Sequence, residues 1–343
     1  MNSERRRHDD GKGGCPRPAA SDQGAAAWRS VAALTGRRAV RQFLLFAVLF
    51  ADLPVSARAD ASVAVLLSHD GPPYRRTLAG FKSQLAALGV QPVFQEWVVE
   101  QRDTLAAALT QLERQPPGLV LSLGTVATQA ITGRPRQTPV VATLIFNSGD
   151  LRGARNATGV GLDFPVATQW QWFKRLLGGV REFGVLYDPD LGTREVEELK
   201  RLAGRDSVAL DTAEGATPEA LPNALKRLPS TIGALWGLGE SRLLSPQTAH
   251  EILLYSFRNR IPLVGLSSSW VKAGALYALD RDYDDLGRQC AEIADQILKG
   301  KAASGIPLAT PRRVLYSLNL KTAEHMKLEF PEEVIRSAAE VYR

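Results

Sequence analysis

Three histidines lie beyond residue 60, and their surroundings decide which chemistry the chain could support. His69 follows an apolar run, His250 falls within a helical pattern, and His325 lies near the C-terminus. None forms a His-x-x-x-His pair or neighbours a cysteine, so a zinc or similar soft-metal site has no ligand set. No Gly-x-Ser-x-Gly nucleophile elbow occurs, no Gly-x-x-x-x-Gly-Lys phosphate loop, and no Gly-x-Gly-x-x-Gly after the first strand. Asp282, Asp284 and Asp285 hint at calcium, but they lack the glycine and terminal glutamate of a calcium loop and read better as the start of a helix. Asn156-Ala157-Thr158 matches a glycosylation sequon, a three-residue signal of little weight. Neither an enzyme nor a cofactor-dependent protein is expected.

Polar residues at the ends of apolar runs say more. They are Ser68-His69, Gly124-Thr125, Asn147-Ser148, Asp188, Gly239-Glu240-Ser241 and Ser267-Ser268-Ser269. Each alone could be an ordinary turn or cap residue. Together they stand where strands run into helices, and there free amides and the helix dipole favour anionic or polar groups. Tyr74 and Trp270, in loop contexts, could stack on a ligand, whereas Trp236 fits a core equally well.

The elements that must position these residues alternate. Ser62 to Leu67 reads as a strand, Leu78 to Leu88 as a helix, Pro92 to Val99 as a strand and Leu105 to Leu112 as a helix. Leu119 to Leu123, Thr125 to Ile131 and Pro139 to Phe146 continue as strand, helix and strand. The series restarts after Gly159-Val160-Gly161-Leu162-Asp163. Strands are expected near Phe183 to Tyr187, Val208 to Leu210, Ile232 to Trp236, Pro262 to Leu266 and Ala275 to Leu279, with a helix opening at Ser245-Pro246. Leu286, Cys290, Ile293 and Ile297 form a further helical face, followed by a strand from Val314 to Leu320 and a final helix from Pro331 to Val341. The fold class is therefore α/β, two consecutive units of similar size with parallel strands joined by helical crossovers. Cys290, on a helical face, reads as a small buried apolar residue.

Phe43 to Ala51 is an apolar run behind Arg37, Arg38 and Arg41 and ahead of Ser56-Ala57-Arg58-Ala59, the order of a secretory signal. At about 1.5 Å per residue such a run spans only about half of a bilayer core. Residues 1–59 are expected to be a leader and signal peptide cleaved near Ala59, placing the mature chain in the periplasm by either the general or the twin-arginine route. This segment holds ten Lys or Arg against five Asp or Glu, so the net charge of +6 falls to +1 in the remainder. Nucleic acid thereby loses its electrostatic argument as a partner.

Further stretches resemble the substrate-binding proteins of ABC transporters, in particular the periplasmic tryptophan and tyrosine binders. They are Pro72-Pro73-Tyr74 with Gly80-Phe81-Lys82, Gly124-Thr125-Val126-Ala127-Thr128, Ile261-Pro262-Leu263-Val264-Gly265, Lys272 to Leu276, Asp282 to Gly287, Tyr316 to Ala323, and Phe330-Pro331-Glu332-Glu333. The resemblance implies a type I periplasmic binding protein fold, two Rossmann-like lobes with parallel sheets and a hinge between the lobes. The first lobe would hold 60–162 plus about 280–311, the second 163–279 plus about 312–343. Gly124-Thr125 would bind a carboxylate or similar group, Ser68 and Asn147 would complete the first-lobe wall, and Glu240 would stand where relatives place Asp after a proline. With His69, Tyr74, Asp188, Ser267 and Ser268 these are the expected ligand-binding residues. The implied partners are a small polar solute, amino-acid-like or anionic, and an inner-membrane ABC permease, with the protein itself a monomer. A periplasmic sensing module for a membrane receptor is the alternative reading.

Overall fold

The computed structural model describes residues 62–133, 137–145, 148–151, 154–238 and 243–343. The leader and signal assigned to residues 1–59 lie outside the described residues. Strand β1 (Ser62–Leu67) is apolar at nearly every position because both of its faces are covered. Val63, Val65 and Leu67 enter one core, Ala64 and Leu66 another. Such unbroken apolarity is the mark of a parallel strand between helical layers. It is followed by α1 (Pro72–Ala87), β2 (Val93–Val98), α2 (Arg102–Arg114), β3 (Leu119–Leu123), α3 (Thr125–Thr132), β4 (Val140–Thr143) and β5 (Ala157–Val160). These strands form an all-parallel sheet in the order β2-β1-β3-β4-β5.

The second series runs α4 (Val166–Leu177), β6 (Glu182–Tyr187), α5 (Thr193–Arg205), β7 (Ala209–Glu214), α6 (Leu221–Arg227) and β8 (Leu235–Gly237). It continues through α7 (Pro246–Asn259), β9 (Leu263–Gly265), α8 (Ser268–Ala273) and β10 (Tyr277–Arg281). Ser245 caps α7 as expected, accepting from the Thr248 N–H in a reciprocal capping box. The chain closes with α9 (Tyr283–Leu298), β11 (Val314–Asn319), α10 (Leu320–His325), α11 (Glu332–Ser337) and β12 (Glu340–Tyr342). The second sheet has the order β12-β11-β10-β9-β8-β6-β7. One of its cores is aromatic: Phe173 stacks on Trp170 and Trp236 at 5.3 Å in each case, and Phe183 packs beside them.

The structure departs from the expected elements in four places. β5 was not anticipated, being only four residues long with a glycine inside it. The strand expected to reach Phe146 ends at Thr143, because Leu144 turns into the left-handed region at φ 59°. The expected C-terminal helix stops at Ser337, after which the Ala339 N–H donates to the Tyr316 carbonyl and the chain joins the sheet as β12. The sheets are not wholly parallel, since β10 and β11 run antiparallel with Arg281 opposite Val314.

Helix α9 packs into the core of the first sheet through Leu286, Cys290, Ile293 and Ile297. Its contact with α1 is close enough to require glycine on both sides: a Cβ on Gly80 would strike the Asp284 carbonyl, and one on Gly287 the Thr77 carbonyl. The chain crosses between the sheets three times, after β5, after β10 and before β11. The first and third crossings are tied by Gly161 N–H to the Ala309 carbonyl at 3.0 Å and Ala309 N–H to the Gly159 carbonyl at 2.9 Å. Arg281 ties the second to the first, its Nε donating to the Leu162 carbonyl at 2.7 Å. No helix among the described residues is long and apolar enough to cross a membrane.

Candidate functional site

The carboxyl ends of β1 and β3 lie side by side, and five of the expected site residues gather there. The Ser68 N–H continues the ladder onto the Leu123 carbonyl at 2.8 Å, which fixes its side chain over the start of α3. Its Oγ accepts the Ala127 N–H at 2.9 Å, satisfying one of the orphan amides of that helix. Ser68 is buried at 2% exposure, so it shapes the site rather than lining open solvent. Gly124 caps α3 with φ at 95°, a conformation suited to glycine. A Cβ there would also lie 2.6 Å from Ser68 Oγ and 2.9 Å from Tyr74 Cε1.

The amide inventory at this helix start corrects one expectation. The Gly124 N–H is committed to the Thr143 carbonyl at 2.8 Å, and the Thr128 N–H to the Gly124 carbonyl at 3.0 Å. Gly124 therefore gives close backbone approach rather than a donor. The Thr125 and Val126 N–H groups have no hydrogen-bond partner among the described residues and stand at the positive end of the helix dipole, beside the partly exposed Thr125 hydroxyl.

Tyr74 and His69 flank this corner. Tyr74 lies in the first turn of α1, not in a loop, and its ring meets His69 edge-on at 5.7 Å. Burial raises the Tyr74 phenol above its usual range, so it remains neutral at any working pH. His69 is exposed, with Nδ1 3.2 Å from Glu100 Oε1. Ser68, His69, Tyr74, Gly124 and Thr125 thus form one cluster at the edge of the first sheet.

The second sheet contributes residues at the corresponding edge. Asp188 is fully buried at the end of β6, and its Oδ1 accepts the Asp190 N–H at 3.0 Å. Its carbonyl takes the Leu191 and Gly192 N–H groups, so Asp188 shapes the turn into α5. Ser267 caps α8, its Oγ 2.7 Å from Ser269 Oγ. Ser268 opens α8 as its first residue, partly buried. Asn147 and Glu240 lie outside the described residues. Trp236 is core at 2% exposure, and Trp270 lies on α8, partly buried against the second sheet.

His325 Nε2 is 3.1 Å from the Phe257 carbonyl, its ring stacked on Phe257, while His250 is exposed on α7. The Asp282 carboxylate caps α9, accepting the Asp285 N–H at 3.0 Å. Among the described residues no group of three His, Cys, Asp or Glu is arranged to hold a metal ion. Cys290 is fully buried, its thiol pushed up to about 12 by desolvation.

Sequence reasoning passed over two apolar residues at these edges. Val126, in the first turn of α3, and Leu191, in the turn after β6, are 48% and 42% exposed. An apolar residue directly after a helix cap at a strand end is the signal that could have found them. Asp163, at the first crossing, was also missed. Water reaches it, yet enough protein surrounds it that desolvation, reinforced by Glu195 and opposed by Arg281, raises its carboxyl above the usual range.

Solved structures share this architecture. The ABC domain of Streptococcus pneumoniae in complex with L-Trp is 22% identical, covering 82% of this chain and all of its own, with a TM-score of 0.56. A ligand-free, open substrate-binding protein with adhesive properties from Clostridium difficile is 19% identical, covering 82% of this chain and 99% of its own, with a TM-score of 0.67. At these identities the likeness shows the fold, the two-lobed type I periplasmic binding protein fold. A tyrosine-binding protein of Clostridioides difficile is 20% identical over 220 residues, 62% of this chain and 63% of its own length, so the match spans less than two thirds of that relative. The family model of ABC transporter substrate binding proteins matches residues 60–342, and the chain belongs to that family.

Proposed function

We propose that the protein captures a small polar, amino-acid-like solute between its two lobes, outside the cytoplasm, and delivers it to an ABC importer in the inner membrane. The observation that carries this reading is the joint placement of Ser68, Gly124 and Thr125 on one sheet and Asp188 and Ser267 on the other, all at carboxyl edges of parallel strands. The amides of Thr125 and Val126 and the Thr125 hydroxyl suit a carboxylate. The Tyr74 ring suits an apolar side chain, and Glu240 from the second lobe suits an ammonium. The L-Trp complex and the tyrosine-binding relative support an amino acid as the solute class.

Lobes of 60–162 plus about 280–311 and 163–279 plus about 312–343 would close on the solute, contacts from both sides stabilising the closed form. Export follows from the basic, apolar and small-residue order of Arg37 to Ala59, with cleavage near Ala59. A thermal-shift series over the proteinogenic L-amino acids tests the reading. A true solute at 100 times its dissociation constant stabilises the protein by about 2.7 kcal/mol. Thr125→Ala should weaken that solute roughly tenfold, the loss of a hydrogen bond to a charged group, without lowering the melting point of the free protein. Failure of every amino acid to shift the melting point overturns the solute class.

A further inference from the structure

Arg312 stands two residues ahead of β11, on the third crossing between the sheets. Its guanidinium grips two carboxylates of α9. Nε and Nη2 donate to Asp285 at 2.9 Å each, and Nη1 and Nη2 to Glu292 at 2.9 and 3.1 Å. Asp285 and Glu292 are two helical turns apart and so share one face. Gln289, between them on that face, donates to the Thr310 carbonyl at 3.2 Å and accepts the Arg312 N–H at 3.3 Å. Arg313 adds a 2.9 Å contact to Asp282, the cap of the same helix. The Asp285 side chain is only 6% exposed, and such paired carboxylates hold their partners far more firmly than surface pairs do.

The consequence is mechanical. Helix α9 is seated on α1 through the glycine contact at Gly80 and Gly287, so whatever it grips moves with the first sheet. The third crossing is gripped as far as Arg313, and Val314 already pairs with Arg281 in the second sheet. The second crossing has as little slack, since Arg281 belongs to β10 while Asp282 caps α9. Arg281 also holds the Leu162 carbonyl of the first crossing.

We propose that Arg312 is a positioning residue for solute capture, confining rotation of the lobes to the peptide units Arg313–Val314 and Arg281–Asp282 and to the few residues after Leu162. The inference rests on reading the cleft as the solute site. Arg312 touches no solute. Without its grip, the stretch from Thr310 to Arg313, beyond the Ala309 tie, becomes a looser tether, the open protein gains conformations, and closure must remove them. Apparent affinity falls with the fraction of molecules poised to close.

The test uses the full chain carrying Cys15→Ser, with spin labels at Ala87→Cys and Glu251→Cys, exposed positions on α1 and α7. Buried Cys290 stays unlabelled. Pulsed electron resonance of the solute-free protein should give a broader interlobe distance distribution for Arg312→Gln than for the parent, with Gln289→Ala intermediate and Arg312→Lys partly restored. L-tyrosine titration of Arg312→Gln should show about tenfold weaker binding, within the usual range for distant coupling, expressed mainly as faster dissociation. An unchanged distribution overturns the proposal, as does a broadened one with unchanged L-tyrosine affinity. If the parent protein ignores L-tyrosine, it is the solute reading that suffers, and the distance distributions still decide the role of Arg312.

Discussion

Gly124 concentrates three demands on one residue: a positive φ, contact with Ser68 Oγ and contact with the Tyr74 ring. Alanine there must either shift the backbone or displace Tyr74, and both disturb the start of α3. Gly124→Ala should lower stability by roughly 1–3 kcal/mol in urea unfolding and remove solute-induced stabilisation altogether. Cys290 makes the opposite case, a residue isolated from chemistry. With its thiol pushed up to about 12 and no exposure, it should resist iodoacetamide at neutral pH in the native protein and react at once in denaturant, read by mass spectrometry. The placement of Ser68, Gly124, Asp188 and Ser267 at strand ends was legible in sequence, but not what their groups are bonded to. That the Gly124 amide is spent on Thr143, and the Ser68 hydroxyl on Ala127, depends on three strands meeting edge to edge.

At the scale of elements, the face of α9 that carries Asp285 and Glu292 gives a pH-dependent contribution to stability. Burial pushes the Asp285 carboxyl up, but hydrogen bonds and charge from Arg312 and Arg288 outweigh this and hold it below the usual range. A carboxyl whose folded value is depressed contributes stability fully above its unfolded value, about 3.9, and loses it as pH falls through the folded one. Asp285→Asn should therefore cost about 1–2 kcal/mol at pH 7, the lower end for a pair whose arginine is half-exposed. Melting curves of the two proteins should converge as the pH drops below about 4. β1 and β3 were readable because burial on both faces leaves a nearly continuous apolar run, broken in β3 only by Ser122, which is paired with Thr128. β5 was not, since four residues with a glycine fall below any periodicity signal. The grip of Arg312 on Asp285 joins residues 27 apart across an irregular stretch, and no local pattern encodes such a pair.

For the molecule as a whole, one contact described above governs the order in which the chain can be completed. Helix α9 fills the first core, yet it meets α1 across a long separation: Arg76 pairs with Asp284, 208 residues later in the chain. Until α9 emerges from the ribosome, the core that joins Phe81 and Leu85 to Val63, Val65 and Leu67 lacks Leu286, Cys290, Ile293 and Ile297 and stays incomplete. Contacts so distant in sequence slow folding, because loop closure must precede any gain from burial. A chain ending at Asp282 should expose this core, bind a hydrophobic dye and lack a cooperative melt, whereas one ending at Arg313 should protect the first-lobe amides in hydrogen exchange. Completion of the first core thus waits until most of the chain has been made, a delay that suits the export proposed above.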